Sequence, residues 1–384
     1  MWRSLASNML TILVVAALGI AGVIGWGQQQ YVAEGPLTDP VCLQVPSGST
    51  MDRVAANLTE IGAISNETVY KIGSDYSGKN PRLKAGSFLI EEGASMAQIL
   101  DEITGDGVST CGTQIVYRVS VNSQSKIVRA LNTETQGFEV VAEFDPKVEQ
   151  PPSGYLEALQ EVGTELSVVF AEGVTSWQVV EALNSSEWFT GDVPEVPAEG
   201  SLEPRSYEIQ NGTDRVEFLR AMEDSQSIVL AQAWESRADD APVESPEEAL
   251  ILASIIEKET AVADERPLVA SVFANRLRQG IKLQTDPTVI YGITKGEGVL
   301  GRGIRQSELR RETPWNTYVI EGLPPTPIAN PGKKAIEAAL NPATSDYIFF
   351  VADGTGGHAF AVTLDEHNAN VAKWREIEAE RANQ

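Results

Sequence analysis

The chain has 384 residues, of which 42% are hydrophobic and 22% are charged, and its net charge is −25 at pH 7. Such an acidic chain is not expected to bind nucleic acid, because nucleic-acid-binding proteins carry basic patches. Two cysteines and two histidines are too few for a Cys/His zinc site, and the glycine motifs of phosphate and dinucleotide binding are absent from the sequence, so we expect no cofactor.

An uncharged stretch at residues 9–26 is long enough to span a bilayer as a helix. A cleaved signal peptide is the alternative, but its apolar core would be shorter, and here the apolar run continues past the small residues Ala17 and Gly19. Arg3 gives weak support for a cytoplasmic tail at residues 1–8. We therefore expect an uncleaved anchor, with the rest of the chain outside the cytoplasmic membrane.

Two segments follow the anchor and a predicted linker at residues 27–40. In residues 41–107 a short strand and an amphipathic helix occur twice, which predicts a compact α+β module. Cys42 and Cys111 bracket this module, and export of the pair favours a disulfide. Residues 108–165 contain alternating, strand-like stretches and predict a β-rich insertion.

An amphipathic helix is predicted at residues 250–263, where apolar residues recur with a period near 3.6. The preceding Ser245-Pro246 is predicted to lie at the N-terminus of this helix. On a helical projection Glu257 falls on the solvent side and Glu259 falls in the middle of the apolar stripe. A carboxyl group there has a raised pKa, as a general acid requires, unless it is paired with a core arginine such as Arg276 or Arg278. The stripe alone leaves both interpretations of Glu259 open.

A dense series of motifs covers about the last third of the chain. In order, the segments are ASIIEKETAV (253–262), VASVF-NRL (269–277), LQTDPTVIYG (283–292), NTY (316–318), GLPP (322–325), NP (341–342), FVADG-GGH-F (350–360) and HN (367–368). These segments resemble the core of the endolytic murein transglycosylases, the YceG-like (MltG) family. In that family the second glutamate of the EKET run is the catalytic acid, which corresponds to Glu259.

The resemblance implies an α+β fold with an N-terminal transmembrane helix, a small LysM-like subdomain at 41–107 and an α+β lytic transglycosylase catalytic domain at 166–384. The LysM-like subdomain is either a glycan-binding module or a spacer. The implied activity is cleavage of the MurNAc–GlcNAc bond inside nascent peptidoglycan strands, which leaves 1,6-anhydro-MurNAc ends and terminates strand elongation. The expected location is the inner membrane with the catalytic part in the periplasm, beside penicillin-binding proteins. A hydrolytic muramidase and a non-catalytic wall-binding scaffold are the rival functions.

The remaining candidate residues have a functional and a structural interpretation each. Gln284, Thr285 and Asp286 either line a glycan groove or cap a helix that begins at Pro287, and Asp286 is also the candidate second carboxylate of a muramidase. The other candidate substrate contacts, each of which could instead serve packing, are Asn316, Tyr318, Thr260 and His358.

One segment departs from the family pattern. Where the family reads close to EGYLFPDTY, residues 199–209 read EGSLEPRSYEI, so that Glu203 and Arg205 replace an aromatic residue and an acid. We expect this segment to flank the glycan groove and to alter its subsites.

Overall fold

The computed structural model describes residues 2–46, 48–105, 111–132, 137–161 and 164–382. The chain divides into two compact units, the first formed by the described parts of residues 1–115, 127–143 and 151–165, and the second by those of 116–126, 144–150 and 166–384. The helices are α1 (Trp2–Val32), α2 (Met51–Glu60), α3 (Glu67–Ser77), α4 (Met96–Thr104), α5 (Ser153–Ala158), α6 (Ser176–Ser185), α7 (Arg215–Glu235), α8 (Pro246–Glu259), α9 (Arg266–Gln279), α10 (Asp286–Thr294), α11 (Gln306–Leu309), α12 (Lys333–Leu340) and α13 (Leu364–Ala382). The strands are β1 (Val41–Val45), β2 (Gly86–Ile90), β3 (Thr113–Val119), β4 (Gln124–Asn132), β5 (Gly137–Phe144), β6 (Glu165–Phe170), β7 (Phe189–Thr190), β8 (Ser206–Ile209), β9 (Thr213–Asp214), β10 (Phe349–Ala352) and β11 (His358–Ala361).

Helix α1 is the one helix in the described part of the chain that is long and apolar enough to cross a membrane, with a candidate span at Leu13–Val32. The helix extends beyond the predicted span of 9–26 on both sides. Residues 27–32 are therefore helical, which corrects the prediction that they belong to a linker. Tyr31 packs against the core of the first unit, and this tertiary contact stabilises the helix beyond its apolar stretch.

The module at 41–107 is mixed α+β, as predicted, although residues 106 and 107 lie outside the described residues. Strands β1 and β2 are antiparallel, with Val41 opposite Ile90. Helices α2, α3 and α4 complete the core, and Thr50 and Ser95 cap α2 and α4 with their side chains. A LysM-like role for this module stays a prediction.

A disulfide joins Cys42 on β1 to Cys111, with their Cα atoms 5.8 Å apart. Cys111 is fully buried, and its N–H donates to the Ser87 carbonyl on β2 at 3.2 Å. The bond therefore ties β1 to the segment that follows α4, and it closes a loop of 69 residues.

The predicted insertion at 108–165 contains β3, β4, β5 and α5, apart from residues 108–110, 133–136 and 162–163, which lie outside the described residues. It is not a separate module, because residues 116–126 and 144–150 belong to the second unit. Within the second unit, β6 and β8 are antiparallel, with Leu166 opposite Ile209.

Helix α8 is the central helix of the second unit. Leu252, Ile255 and Ile256 of this helix are fully buried in one core with residues of α9 and α12. Ser245 caps the helix by accepting the N–H of Glu248, and Pro246 is the first helical residue, as predicted. The antiparallel hairpin β10–β11 belongs to the same unit.

Candidate active site

Glu259 is the last residue of α8, whereas the sequence predicts a helix that continues to residue 263. The helix ends because Thr260 has an extended backbone, and its hydroxyl accepts the Val262 N–H at 3.0 Å in place of a helical bond. Glu259 therefore lies where the unpaired carbonyls of the helix carry partial negative charge. This position disfavours a second negative charge and favours a protonated carboxyl group.

The Glu259 carboxyl group accepts a hydrogen bond from the Thr285 hydroxyl. Among the described residues it forms no ion pair, so the alternative interpretation, a pairing with Arg276 or Arg278, is not present. Burial raises the pKa of Glu259, the Thr285 hydrogen bond opposes this shift, and the charge of Asp286 raises the pKa further. The carboxyl group therefore keeps its proton to a higher pH than an ordinary glutamate, as a general acid must.

Arg276 holds the backbone around this acid instead of pairing with it. Its guanidinium donates to the Leu283 carbonyl at 2.7 Å and to the Ile348 carbonyl at 2.7 Å. The second bond reaches the residue that precedes β10. The arginine thus fixes the segment that presents Thr285, a role that the sequence did not reveal.

The buried hydroxyl groups of two threonines, Thr317 and Thr288, fix the segment around Thr285. The Thr317 hydroxyl accepts the Thr285 N–H at 3.0 Å and lies 2.9 Å from the Thr288 hydroxyl, which donates to the Thr285 carbonyl at 2.7 Å. Gln284 has a left-handed backbone with φ of 49° and an exposed side chain. Such a conformation is uncommon for a residue other than glycine and is often found at functional sites.

Asp286 and Tyr318, both predicted candidates, contact each other. The Tyr318 hydroxyl donates to Asp286 Oδ1 at 2.7 Å, and burial together with this carboxylate raises the pKa of Tyr318. Asp286 is exposed and is the first residue of α10, one position beyond the capping position predicted for it. The pair places a carboxylate and a phenol beside Thr285, the residue that holds Glu259.

His358 is oriented by Glu265, a residue that the sequence did not single out. Glu265 Oε2 lies 2.8 Å from the ring nitrogen Nδ1 of His358, and Glu265 Oε1 accepts the backbone N–H of His358 at 2.9 Å. A Cβ atom at Gly357 would overlap Glu265 Oε1, so a side chain at this position would require the Glu265 carboxylate to shift. His358 is also close enough to Glu259 for its charge to lower the pKa of the acid.

Two predicted candidates have their side chains turned to the backbone. Asn316 is buried, and its amide donates to the carbonyls of Glu308, Leu309 and Arg311. The Thr260 hydroxyl lies 3.5 Å from Glu265 Oε2 and accepts the Val262 N–H, so it orders the turn after α8 instead of contacting Glu259. A substrate contact through either residue stays a prediction.

The prediction that Glu257 faces solvent is wrong. Its side chain is only 4% exposed, pairs with Arg266 at 3.0 Å, and accepts the Gly332 N–H at 3.0 Å. Arg266 also pairs with Glu172 at 3.0 Å. The projection failed because it assumes that one face of the helix meets water, whereas α8 is enclosed near its end.

In segment 199–209, which departs from the family pattern, the replaced residues Glu203 and Arg205 form a local cluster. Glu203 Oε2 pairs with Arg205 Nε at 2.8 Å and accepts the Ser225 hydroxyl of α7, while the Arg205 guanidinium lies over the Tyr207 ring. The two replacements therefore satisfy each other against α7. An effect on glycan subsites stays a prediction.

We expect Thr285→Val to shift the alkaline limb of the pH–activity profile to higher pH. A general acid works in its protonated form, so activity falls as the pH rises through the raised pKa of Glu259. Removing a hydrogen bond to the ionised form raises that pKa further. We also expect kcat to fall about tenfold, the equivalent of about 1.5 kcal/mol for one such bond.

Thr285→Ser is the matched control, because it retains the hydroxyl group and should restore both the position of the limb and most of the rate. The measurement is the pH profile of product formation for the three proteins. An alkaline limb that stays in place or moves to lower pH in Thr285→Val would show that Thr285 does not tune this acid.

Another carboxyl group with a raised pKa, Glu199, lies elsewhere in the same unit. Burial raises the pKa of Glu199 to about 7, although the carboxylate accepts the Ser176 N–H at 2.9 Å and a hydrogen bond from Tyr291. Glu199 is the first residue of segment 199–209, which departs from the family pattern. It therefore links that segment to the first turn of α6 and to α10.

We expect Glu199→Gln to remove a pH dependence from the stability of the second unit. Between the ordinary value of 4.5 and the folded value of about 7, the unfolded chain loses this proton while the folded chain keeps it. The contribution of Glu199 to the free energy of unfolding is therefore fully present below pH 4.5 and falls by about 3 kcal/mol as the pH rises to 7.

Urea unfolding, followed by tryptophan fluorescence at several pH values, checks this prediction. The difference in unfolding free energy, variant minus wild type, should rise with pH across this window and then level off. A constant difference would show that Glu199 titrates normally in the folded protein.

Residues 43–373 match the model of the YceG-like family. The endolytic murein transglycosylase of Bacillus subtilis strain 168 is 28% identical over 339 residues, which are 87% of this chain and 84% of that protein. The endolytic murein transglycosylase of Streptococcus pneumoniae strain R6 is 26% identical over 381 residues, which are 95% of this chain and 64% of that longer protein. The 2.6 Å crystal structure of a putative YceG-like protein from Listeria monocytogenes has a TM-score of 0.46 and 22% identity, over 86% of this chain and 98% of that chain.

Proposed function

The chain belongs to the YceG-like family, and on that premise we propose that it is an endolytic murein transglycosylase. Two relatives that carry this name match most of the chain. The observation that carries the proposal is Glu259, a carboxyl group with a raised pKa at the end of α8, held by Thr285. It supplies the proton that cleavage of a glycosidic bond requires.

The substrate is the MurNAc–GlcNAc bond inside a peptidoglycan strand. Protonated Glu259 donates its proton to the glycosidic oxygen, and the bond from that oxygen to the anomeric carbon of MurNAc breaks. The C6 hydroxyl of the same MurNAc attacks the anomeric carbon, and its proton passes to the Glu259 carboxylate. The products are a 1,6-anhydro-MurNAc end and a free GlcNAc hydroxyl, and the acid is regenerated.

The environment of Glu259 suits both proton transfers. The helix end and the apolar surroundings favour the protonated acid, and the Thr285 hydroxyl stabilises the carboxylate that exists between the two transfers. An attacking hydroxyl in the same sugar has a high effective concentration, so no water has to be activated. Asp286 and Tyr318, at the exposed side of this segment, are the proposed contacts for sugar hydroxyl or N-acetyl groups, together with Gln284 and His358.

The proposed location is the inner membrane, crossed once by α1, with the catalytic unit in the periplasm. The apolar composition of α1 supports an anchor. A membrane-anchored enzyme meets glycan strands as they are made, so endolytic cleavage there would end elongation beside penicillin-binding proteins. The reaction as written needs no cofactor.

Digestion of purified peptidoglycan by the full chain in detergent, with mass spectrometry of the products, tests the proposal. Internal fragments one water lighter than reducing muropeptides support the transglycosylase. Full-weight reducing fragments would replace it by a muramidase, with Asp286 as the next residue to vary. Absence of cleavage on nascent and mature glycan, with penicillin-binding proteins present, would favour a wall-binding scaffold.

A further inference from the structure

An apolar stripe on α3 is exposed in the first unit. Ile72 is 64% exposed and Tyr76 is 90% exposed, and the two residues lie one helical turn apart, so their side chains are neighbours. The opposite side of α3 is buried through Tyr70 and Ser74. Nothing in the described part of the chain covers the stripe.

Helix α3 packs against the end of α1. A Cβ atom at Gly73 would overlap the Tyr31 ring, so the absence of a side chain at this position permits close contact between the two helices. Tyr76 follows Gly73 by three residues and lies on an adjacent part of the helix surface. The exposed stripe is thus next to the helix that we propose as the anchor.

The length of α1 gives the level of this contact relative to the bilayer. The candidate span Leu13–Val32 has 20 residues, which is about 30 Å along a helix, the thickness of the hydrocarbon core. Tyr31 is the last residue but one of this span. Tyr31 and Gly73 therefore lie where the hydrocarbon core meets the headgroup layer, a level at which tyrosine side chains are enriched in membrane proteins.

The local charge is also suited to lipid headgroups. From Lys71 to Glu92 the sequence has four cations and three acidic residues, so this segment is nearly neutral in a chain whose net charge is −25, and Lys79 in it pairs with Asp101. Anionic lipids attract basic segments close to a membrane surface. The composition of this segment therefore differs from that of the chain as a whole in the direction that a membrane favours.

We infer that the Ile72–Tyr76 stripe of α3 rests in the headgroup layer of the membrane that α1 crosses. The inference depends on the proposed anchor and goes beyond it, because an anchor alone leaves the first unit in water. With the stripe buried, the first unit is attached to the membrane at two places, the helix and this stripe.

Site-directed spin labelling tests the inference in the full chain. Cys42 and Cys111 are bonded to each other, so Ile72→Cys and Tyr76→Cys each introduce a single reactive thiol. The labelled proteins are placed in nanodiscs of phosphatidylethanolamine and phosphatidylglycerol, under non-reducing conditions. The collision rates of each nitroxide with oxygen and with a water-soluble nickel chelate are then measured. Ile72→Cys retains Tyr76, so it reports on the stripe with its aromatic residue in place.

We expect both labels to collide with oxygen and to be shielded several-fold from the nickel chelate. The control is Glu60→Cys at the exposed end of α2, which should be open to the chelate. Equal nickel access at positions 60, 72 and 76 in discs that contain the protein would overturn the inference and leave the anchor intact. Failure of the chain to enter the discs would instead overturn the anchor, and with it the inference.

Discussion

Glu259→Gln should abolish the formation of 1,6-anhydro products while leaving the protein folded. The amide cannot donate a proton to a leaving oxygen, and loss of a positioned general acid lowers rates by about a hundredfold to ten-thousandfold. The variant keeps the size of the side chain, and its amide oxygen can still accept the Thr285 hydroxyl group. Because it also removes a carboxyl group that burial destabilises in the ionised form, we expect an unchanged or higher Tm at neutral pH.

Glu257→Gln is the matched control, two residues earlier on the same helix, and it should give the opposite result. Glu257 pairs with Arg266 and accepts the Gly332 N–H instead of contacting Thr285, so its replacement leaves the environment of Glu259 in place. The Glu257 carboxyl group takes no part in the proposed reaction, so anhydro products should still form at temperatures below that of thermal unfolding. Product analysis by mass spectrometry and thermal unfolding of both variants decide the matter. Retained anhydro products in Glu259→Gln would remove this residue from the proposed mechanism.

Loss of the Cys42–Cys111 disulfide should destabilise the first unit by about 4 kcal/mol, because the bond closes a loop of 69 residues. The estimate follows from the entropy that the unfolded chain regains when a loop of this length is opened. A change of this size corresponds to about a thousandfold increase in the population of the open state.

Hydrogen exchange with mass spectrometry locates the effect. In a Cys42→Ala/Cys111→Ala variant, peptides of α2 and α4 should exchange up to about a thousandfold faster, whereas peptides of α8 and α12 should exchange at the wild-type rate. Reduction of the wild-type protein should reproduce the pattern without a substitution. Equal exchange in α2 and α4 with and without the bond would show that the core alone holds the first unit together.

Local patterns in the sequence predicted those features of the site that depend on neighbouring residues. The Ser245-Pro246 start of α8 and the apolar environment of Glu259 follow from capping preference and from a 3.6-residue period. The end of the helix at Glu259 did not follow, because it depends on Thr260, which turns its hydroxyl to the backbone. Helix propensity, summed over a window of residues, cannot predict a helix end that depends on one hydrogen bond.

Contacts between distant parts of the chain were beyond sequence reasoning. Glu265 and His358 are 93 positions apart, and the pair forms only because the hairpin β10–β11 comes close to the turn after α8. Arg276 was considered as an ion-pair partner of Glu259 because a buried glutamate is usually paired. Its bonds to backbone carbonyls depend on where Leu283 and Ile348 lie in space, and no period or motif reports that.

Gly357 has no functional group, yet the space beside Glu265 that it leaves free determines how substitutions at this position would affect activity in a screen of random variants. A side chain at position 357 would shift the Glu265 carboxylate, which accepts the backbone N–H of His358, although this position has no side chain that could bind a sugar. We therefore expect substitutions of Gly357 to lower activity through His358, so that a map of inactivating substitutions would group a residue without a side chain with the residues of the site.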